Sequence, residues 1–187
     1  MKLKPMSLRK RIARDKRHVA FHEAGHAAIA ACLGILGNDS KITVTGKGYE
    51  QGFVTLSKDG DWRKWPAHYI RKAILSTYAG PAVSFTLDPN LDLFEEGGWF
   101  EMDMIGAQNM CQWIDRTYTG LTEVPSSLRQ QRVFKTRYWK QSAALVRRNW
   151  LTVEHLAGEL IKRKTMMGKD VIQTLAVMPA KGGALCG

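Results

Sequence analysis

The sequence predicts a mainly α-helical domain that contains one small antiparallel β-hairpin. Residues 17–33 are rich in alanine and carry apolar side chains at helical spacing. Residues 41–45 alternate in polarity and are rich in β-branched side chains, and a second such run at 52–57 follows a glycine-containing loop. The remaining chain reads as helices separated by glycine, proline or asparagine. With 187 residues, of which 44% are hydrophobic, the chain can bury the core of one domain.

The helices are predicted in order along the chain. Asp15 is placed to cap the first helix, which Gly34 ends. The second helix opens at Pro66 and runs to about residue 85. Later helices are expected over residues 101–118, 127–147, 149–164 (with Asn149 as its cap) and 169–177.

The formal net charge is +11, and much of it lies at the start of the chain. We divide the chain into a basic N-terminal arm (1–14), one folded domain (15–177) and a flexible tail (178–187). A basic arm can meet nucleic acid, anionic lipid or an acidic partner. No aromatic residues interleave its charges to stack on bases, so we expect a solvated helix start and no nucleic-acid partner.

The cysteines and the apolar stretches indicate the cellular compartment of the protein. Cys32, Cys111 and Cys186 are odd in number and none are at C-x-x-C spacing, which argues against a disulfide framework or a cysteine-rich zinc site. We expect three buried or idle thiols. The N-terminus lacks the apolar segment of a secretory signal, and residues 27–36 are too few to span a bilayer. We therefore expect a cytoplasmic protein with no membrane span.

Residues 22–26 read H-E-A-G-H, an H-E-x-x-H sequence within the first helix. His22 and His26 lie about 40° apart around the helix axis, so both imidazoles can reach one metal ion. Glu23 is near enough to touch a water bound to that ion, whose pKa is lowered. It would act as general base and deliver the proton to a leaving amine.

The alternative is a pair of surface histidines and a glutamate on an amphipathic helix. Residues 19–21 and 27–31 are apolar, so the motif is set in a helix that we expect to be buried on most sides. Buried imidazoles need partners, and a metal ion is a good one.

The motif leaves the third ligand open. Cys32 would lie about 240° around the helix from His26, so we reject it. Residues 44–48 read as strand and turn and supply no acid, which weakens a glutamate ligand about 20 residues after the motif. His18 is about 12 Å along the helix from His26, so we expect a surface or outer role. Ordinary structural roles are expected for two lone histidines, His68 and His155.

Residues 19–27, V-A-F-H-E-A-G-H-A, resemble the zinc-binding helix of the FtsH-type ATP-dependent zinc metalloproteases. The likeness covers roughly residues 15–177. Its later parts are similar to the family's hairpin, second helix, third-ligand segment and C-terminal helices, in residues 41–57, 74–85, 97–107, 149–157 and 164–171.

By position, the resemblance implies that Asp103 is the third ligand of a Zn²⁺ ion. A carboxylate at a helix start is favoured by the helix dipole, and the glycines at 97–98 let the preceding loop bend back. Four other acids of the same loop stay as rivals: Asp88, Asp92, Glu95 and Glu96.

The chain departs from the family in two places. The family usually has an arginine and then a glutamate in its second helix, where this chain has Pro81 and Ser84. No G-x-x-x-x-G-K-[ST] sequence occurs in the 187 residues, so the family's ATPase module is absent from them.

We therefore expect a zinc metalloendopeptidase without its own ATPase, acting on flexible or unfolded polypeptides or with a separate unfoldase. The family's ring assemblies imply a homo-oligomer. The alternative function is a catalytically silent zinc-containing protein that binds or regulates a partner.

Overall fold

A computed structural model describes residues 8–45, 51–54, 60–89, 101–118 and 128–176. In these ranges the chain forms six α-helices, one short 3₁₀ helix (Trp62–Lys64) and three strands, which confirms a mainly α fold. In chain order the α-helices and strands are α1 (Leu8–Cys32), β1 (Lys41–Thr45), β2 (Gln51–Val54), α2 (Ala67–Leu87), α3 (Glu101–Tyr118), α4 (Leu128–Arg148), α5 (Trp150–Arg163), β3 (Thr165–Met167) and α6 (Gly168–Ala176).

The predicted hairpin is present, and a third strand extends it. β1 pairs antiparallel with β2, with Ile42 opposite Val54. On its other side β1 pairs antiparallel with β3, with Ile42 opposite Met166, so the sheet order is β2-β1-β3. The sequence did not predict β3, because three residues between two helices show no measurable periodicity.

Helix α1 is the centre of the domain. Residues 19–30 are all buried, because α1 packs against α2 and α5 and also contacts the sheet. A Cβ on Gly25 would lie 2.7 Å from Cγ2 of Val83 and 3.0 Å from the carbonyl oxygen of Ala79. Glycine at this position therefore lets α1 and α2 approach more closely than any other residue would allow.

The two predicted helix caps have different outcomes. Helix α1 begins at Leu8 and not at Asp15, because residues 8–14 contain good helix formers and no glycine or proline to stop it. Asn149 occupies the N-cap position of α5, as predicted, but its side chain makes no capping hydrogen bond. Its side-chain amide donates instead to the carbonyl oxygen of Leu145, at 2.9 Å, and so bonds to the end of α4.

The cysteines differ from expectation at one position. Cys111 is a buried cysteine that is not part of a disulfide. Cys32 is disulfide-bonded, so the prediction of an idle thiol is wrong there; sequence spacing does not reveal which cysteines approach to the roughly 4.4–6.8 Å between Cα atoms that a disulfide needs. Cys186 and the predicted tail lie outside the described residues. Within the described part of the chain, no helix is long and apolar enough to cross a membrane.

Candidate metal centre

The two histidines of the H-E-x-x-H motif lie on the face of α1 that meets α2. Both are buried, and their Nε2 atoms are 3.0 Å apart. The imidazole rings meet edge to face, with centroids 4.7 Å apart. The four-residue spacing thus gives the local geometry expected of neighbours one helical turn apart.

Asp103 reaches the same point from the first turn of α3. Its Oδ2 atom is 2.8 Å from Nε2 of His22 and 3.3 Å from Nε2 of His26. Among the described residues, these three form the group of potential metal ligands whose ligand atoms lie within 4.8 Å of one another. The structure therefore brings together residues that are 77 and 81 positions apart in the sequence.

The outer ring nitrogens of the two histidines are both engaged by α2. Nδ1 of His26 donates to the main-chain carbonyl oxygen of Ser76 at 2.7 Å. Nδ1 of His22 is 3.1 Å from the side-chain oxygen of Ser84. With both Nδ1 atoms held by α2, the Nε2 atoms point towards each other and towards Asp103.

Gly80 lies between these two serines on the same face of α2. A Cβ at this position would be 2.6 Å from Nε2 of His22 and closer still to Nε2 of His26. No side chain larger than hydrogen leaves room for both imidazoles. The Ser76, Gly80 and Ser84 positions, each four residues from the next, therefore form a cradle for the histidine pair.

The donor set fits zinc. A tetrahedral Zn²⁺ with bonds of about 2.0–2.1 Å to its ligands needs ligand atoms roughly 3.3 Å apart. The observed separations are 2.8, 3.0 and 3.3 Å, so modest outward movement would suffice. Two imidazoles and one carboxylate are also the ligand types that catalytic zinc sites use.

The histidines and the carboxylates of the cluster shift one another's pKa values. Burial by itself lowers the pKa of His26, but the Asp103 and Glu23 carboxylates outweigh it and raise the pKa to about 9. Burial raises the pKa of Asp103, but the two histidines outweigh it and hold that pKa below the ordinary value. The carboxylate thus favours a positive charge at the histidines, which a divalent cation would supply while displacing the proton.

Glu23 lies beside this cluster without joining it. Its side chain is buried, and its Oε2 atom has no hydrogen-bond partner among the described residues. Burial raises the pKa of Glu23; the nearby histidines oppose this and Asp103 adds to it. A buried carboxylate oxygen with no partner normally signals a group or water that completes it.

The remaining predicted residues take no part in the cluster. Asp88, among the rival acids, is described and lies outside it, whereas Asp92, Glu95 and Glu96 fall outside the described residues. Cys32 is also not a member of the cluster. The two lone histidines, His68 and His155, are exposed.

Sequence reasoning missed Gly80 and the supporting role of the serines, although S-x-x-x-G-x-x-x-S spacing on a predicted helix was a readable signal. The assignment of His22, His26 and Asp103 as zinc ligands stays a prediction.

The site has the composition of a metal centre built from two histidines and one carboxylate. No protein-family model matches the chain. A segment of 53 residues is 38% identical to ATP-dependent zinc metalloprotease FtsH 3 from Sphaerobacter thermophilus, and it covers 28% of this chain and 11% of that relative. This similarity supports a relationship to the FtsH proteins over that segment.

Proposed function

We propose that the protein is a zinc-dependent metalloendopeptidase. The observation that carries the proposal is the convergence of Nε2 of His22, Nε2 of His26 and Oδ2 of Asp103 beside a buried glutamate. The partial similarity to an ATP-dependent zinc metalloprotease supports the same reading.

In this proposal His22, His26 and Asp103 hold the ion. When bound, Zn²⁺ supplies Lewis acidity that polarises a peptide carbonyl and lowers the pKa of water to near neutrality. Asp103 contributes the one negative charge of the ligand set. The protein lowers the cost of binding because α2 already orients both imidazoles through their Nδ1 atoms.

Glu23 is the proposed general base. Its position next to His22 puts its carboxylate beside the cluster, and the unpartnered Oε2 atom is free to accept a proton from the attacking water. Burial raises the pKa of Glu23 towards the operating pH, which improves its ability both to take that proton and to donate it to the leaving amine.

We propose flexible or already unfolded polypeptides as the substrates. The 187 residues contain no phosphate-binding G-x-x-x-x-G-K-[ST] sequence to drive unfolding, so folded proteins would need a separate unfoldase. Assembly into a homo-oligomer is a further part of this proposal.

The direct test is Glu23→Gln, assayed by cleavage of unfolded casein together with zinc content. Loss of a positioned general base should lower the rate by about 10²–10⁴-fold, while zinc is retained because Glu23 is not a ligand. Glu159→Gln is the matched control, since Glu159 pairs only with Lys162 and Arg163 on the surface of α5 among its described contacts.

Equal cleavage by the parent and the Glu23 variant would contradict the peptidase mechanism. A parent that holds zinc but cleaves nothing, with a cellular effect that Glu23→Gln leaves unchanged, would favour the catalytically silent binding protein.

A further inference from the structure

The two imidazoles of the cluster are oriented by chemically different groups. His26 is held by a main-chain carbonyl, that of Ser76, whereas His22 is held by a side-chain hydroxyl, that of Ser84. Both partners belong to α2, and both contacts are buried. The difference means that only one of the two contacts can be removed by substituting a side chain.

A carbonyl oxygen can only accept a hydrogen bond, so Nδ1 of His26 must carry a proton when the bond forms. In a neutral imidazole the other nitrogen, Nε2, then presents its lone pair, as a metal ligand requires. A serine hydroxyl can also accept, so Ser84 can hold His22 in the same tautomer. Both contacts therefore favour the tautomer with a proton on Nδ1, one through a main-chain carbonyl and the other through a side-chain hydroxyl.

Ser84 has no side-chain exposure to solvent, so water cannot easily take over its role. It also lies where the resemblance to the FtsH family implied a glutamate. The group that faces Nδ1 of His22 in this chain is therefore neutral, and Asp103 is the carboxylate in direct contact with the pair.

We propose that Ser84 is a positioning residue for the metal, a role that rests on the proposed zinc site. Its hydroxyl accepts the Nδ1 hydrogen bond of His22 and keeps Nε2 of that ring turned towards His26 and Asp103. Without the hydroxyl, the ring keeps its place on α1 but loses the bond that fixes its tautomer and rotation.

The test compares two serine-to-alanine variants with the parent. Ser84→Ala removes the bond to His22. Ser142→Ala is the matched control, because Ser142 is equally buried and donates to the carbonyl oxygen of Leu75 at 2.8 Å, away from the histidines.

Zinc affinity is measured in the full chain by competition with a chromogenic chelator. Ser84→Ala should bind zinc about 10–100-fold more weakly, the usual loss when an outer partner of a metal ligand is removed. Ser142→Ala should stay close to the parent. Thermal unfolding of the metal-free proteins should show similar losses for Ser84→Ala and Ser142→Ala, since each removes one buried hydroxyl.

A spectroscopic signature separates positioning from mere packing. In the zinc-loaded parent, proton NMR should show a slowly exchanging Nδ1 proton on each of His22 and His26. Ser84→Ala should lose only the His22 signal and alter the visible absorption of the Co²⁺-substituted site. The inference is overturned if Ser84→Ala has the same zinc affinity and the same His22 signal as the Ser142→Ala control. The proposed zinc site would still stand in that case. A parent without zinc affinity would instead remove the proposed function itself.

Discussion

The histidine half and the aspartate half of the candidate site are built in different ways. His22 and His26 are 6% and 7% exposed, and they lie where α1 meets α2, the two described helices that share the most extensive contact. The Asp103 side chain is 27% exposed and stands in the first turn of α3, next to Met102, which is 77% exposed. The fold therefore fixes the histidines more firmly than the acid that faces them.

The contacts of each half show the same difference. Each histidine has a partner on α2 in addition to its neighbours in the cluster. The hydrogen bonds of Asp103, among the described residues, go to the two histidines. For the proposed zinc site, the comparison indicates that α1 and α2 would form a template before the metal binds, whereas α3 would gain most from the metal.

Among the substitutions considered, Gly80→Ala is expected to have the largest effect on zinc binding, because it places a methyl group between α2 and the histidine pair. Gly80→Ala puts a Cβ against both Nε2 atoms, so the imidazoles must turn away or α1 must move away from α2. Overpacking of this kind costs about 1–3 kcal/mol of the free energy of unfolding. We expect zinc binding to be abolished and the unfolding midpoint of the metal-free protein to fall.

Gly158→Ala is the control for this substitution. A Cβ on Gly158, within α5, meets nothing within 4 Å, so alanine should stabilise the helix by up to about 1 kcal/mol and leave zinc binding unchanged. Gly80→Ala with parental zinc affinity would show that the cradle on α2 is not needed for the site.

The difference between the two halves also explains which site residues could be predicted from the sequence. The histidine pair depends on i and i+4 spacing within one helix, and local geometry of that kind follows from the helical repeat. The bounds of α3, Glu101–Tyr118, agree with the predicted 101–118. Asp103 could not be chosen from residues alone, because loop acids compete for the role and only the resemblance favoured one of them.

Other features were invisible for a related physical reason. Thr43 and Thr165, paired across β1 and β3, are 122 positions apart, and a three-residue strand carries too little pattern to reveal such a pairing. The S-x-x-x-G-x-x-x-S spacing places Ser84 on one face of α2 but does not show which residue it contacts. Its contact with His22 exists because α2 packs on α1, which is a tertiary event.

A smaller effect, on amide hydrogen exchange, should distinguish the histidine half of the site from the aspartate half. Adding zinc should slow amide hydrogen exchange more in the first turns of α3 than in residues 19–30 of α1, because the metal would anchor Asp103 whereas α1 is already buried. Exchange measured by mass spectrometry with and without a chelator tests this. Equal protection of both segments would contradict the idea of a preformed template.

The central claim is tested most directly by metal content. Purified protein, prepared without chelators, is analysed for zinc beside Asp103→Ala and Asp88→Ala, the second being a matched loss of a nearby acid outside the cluster. The account predicts about one zinc per chain in the parent and in Asp88→Ala, and marked loss in Asp103→Ala. A parent without bound zinc, or zinc retained in full by Asp103→Ala, would contradict it.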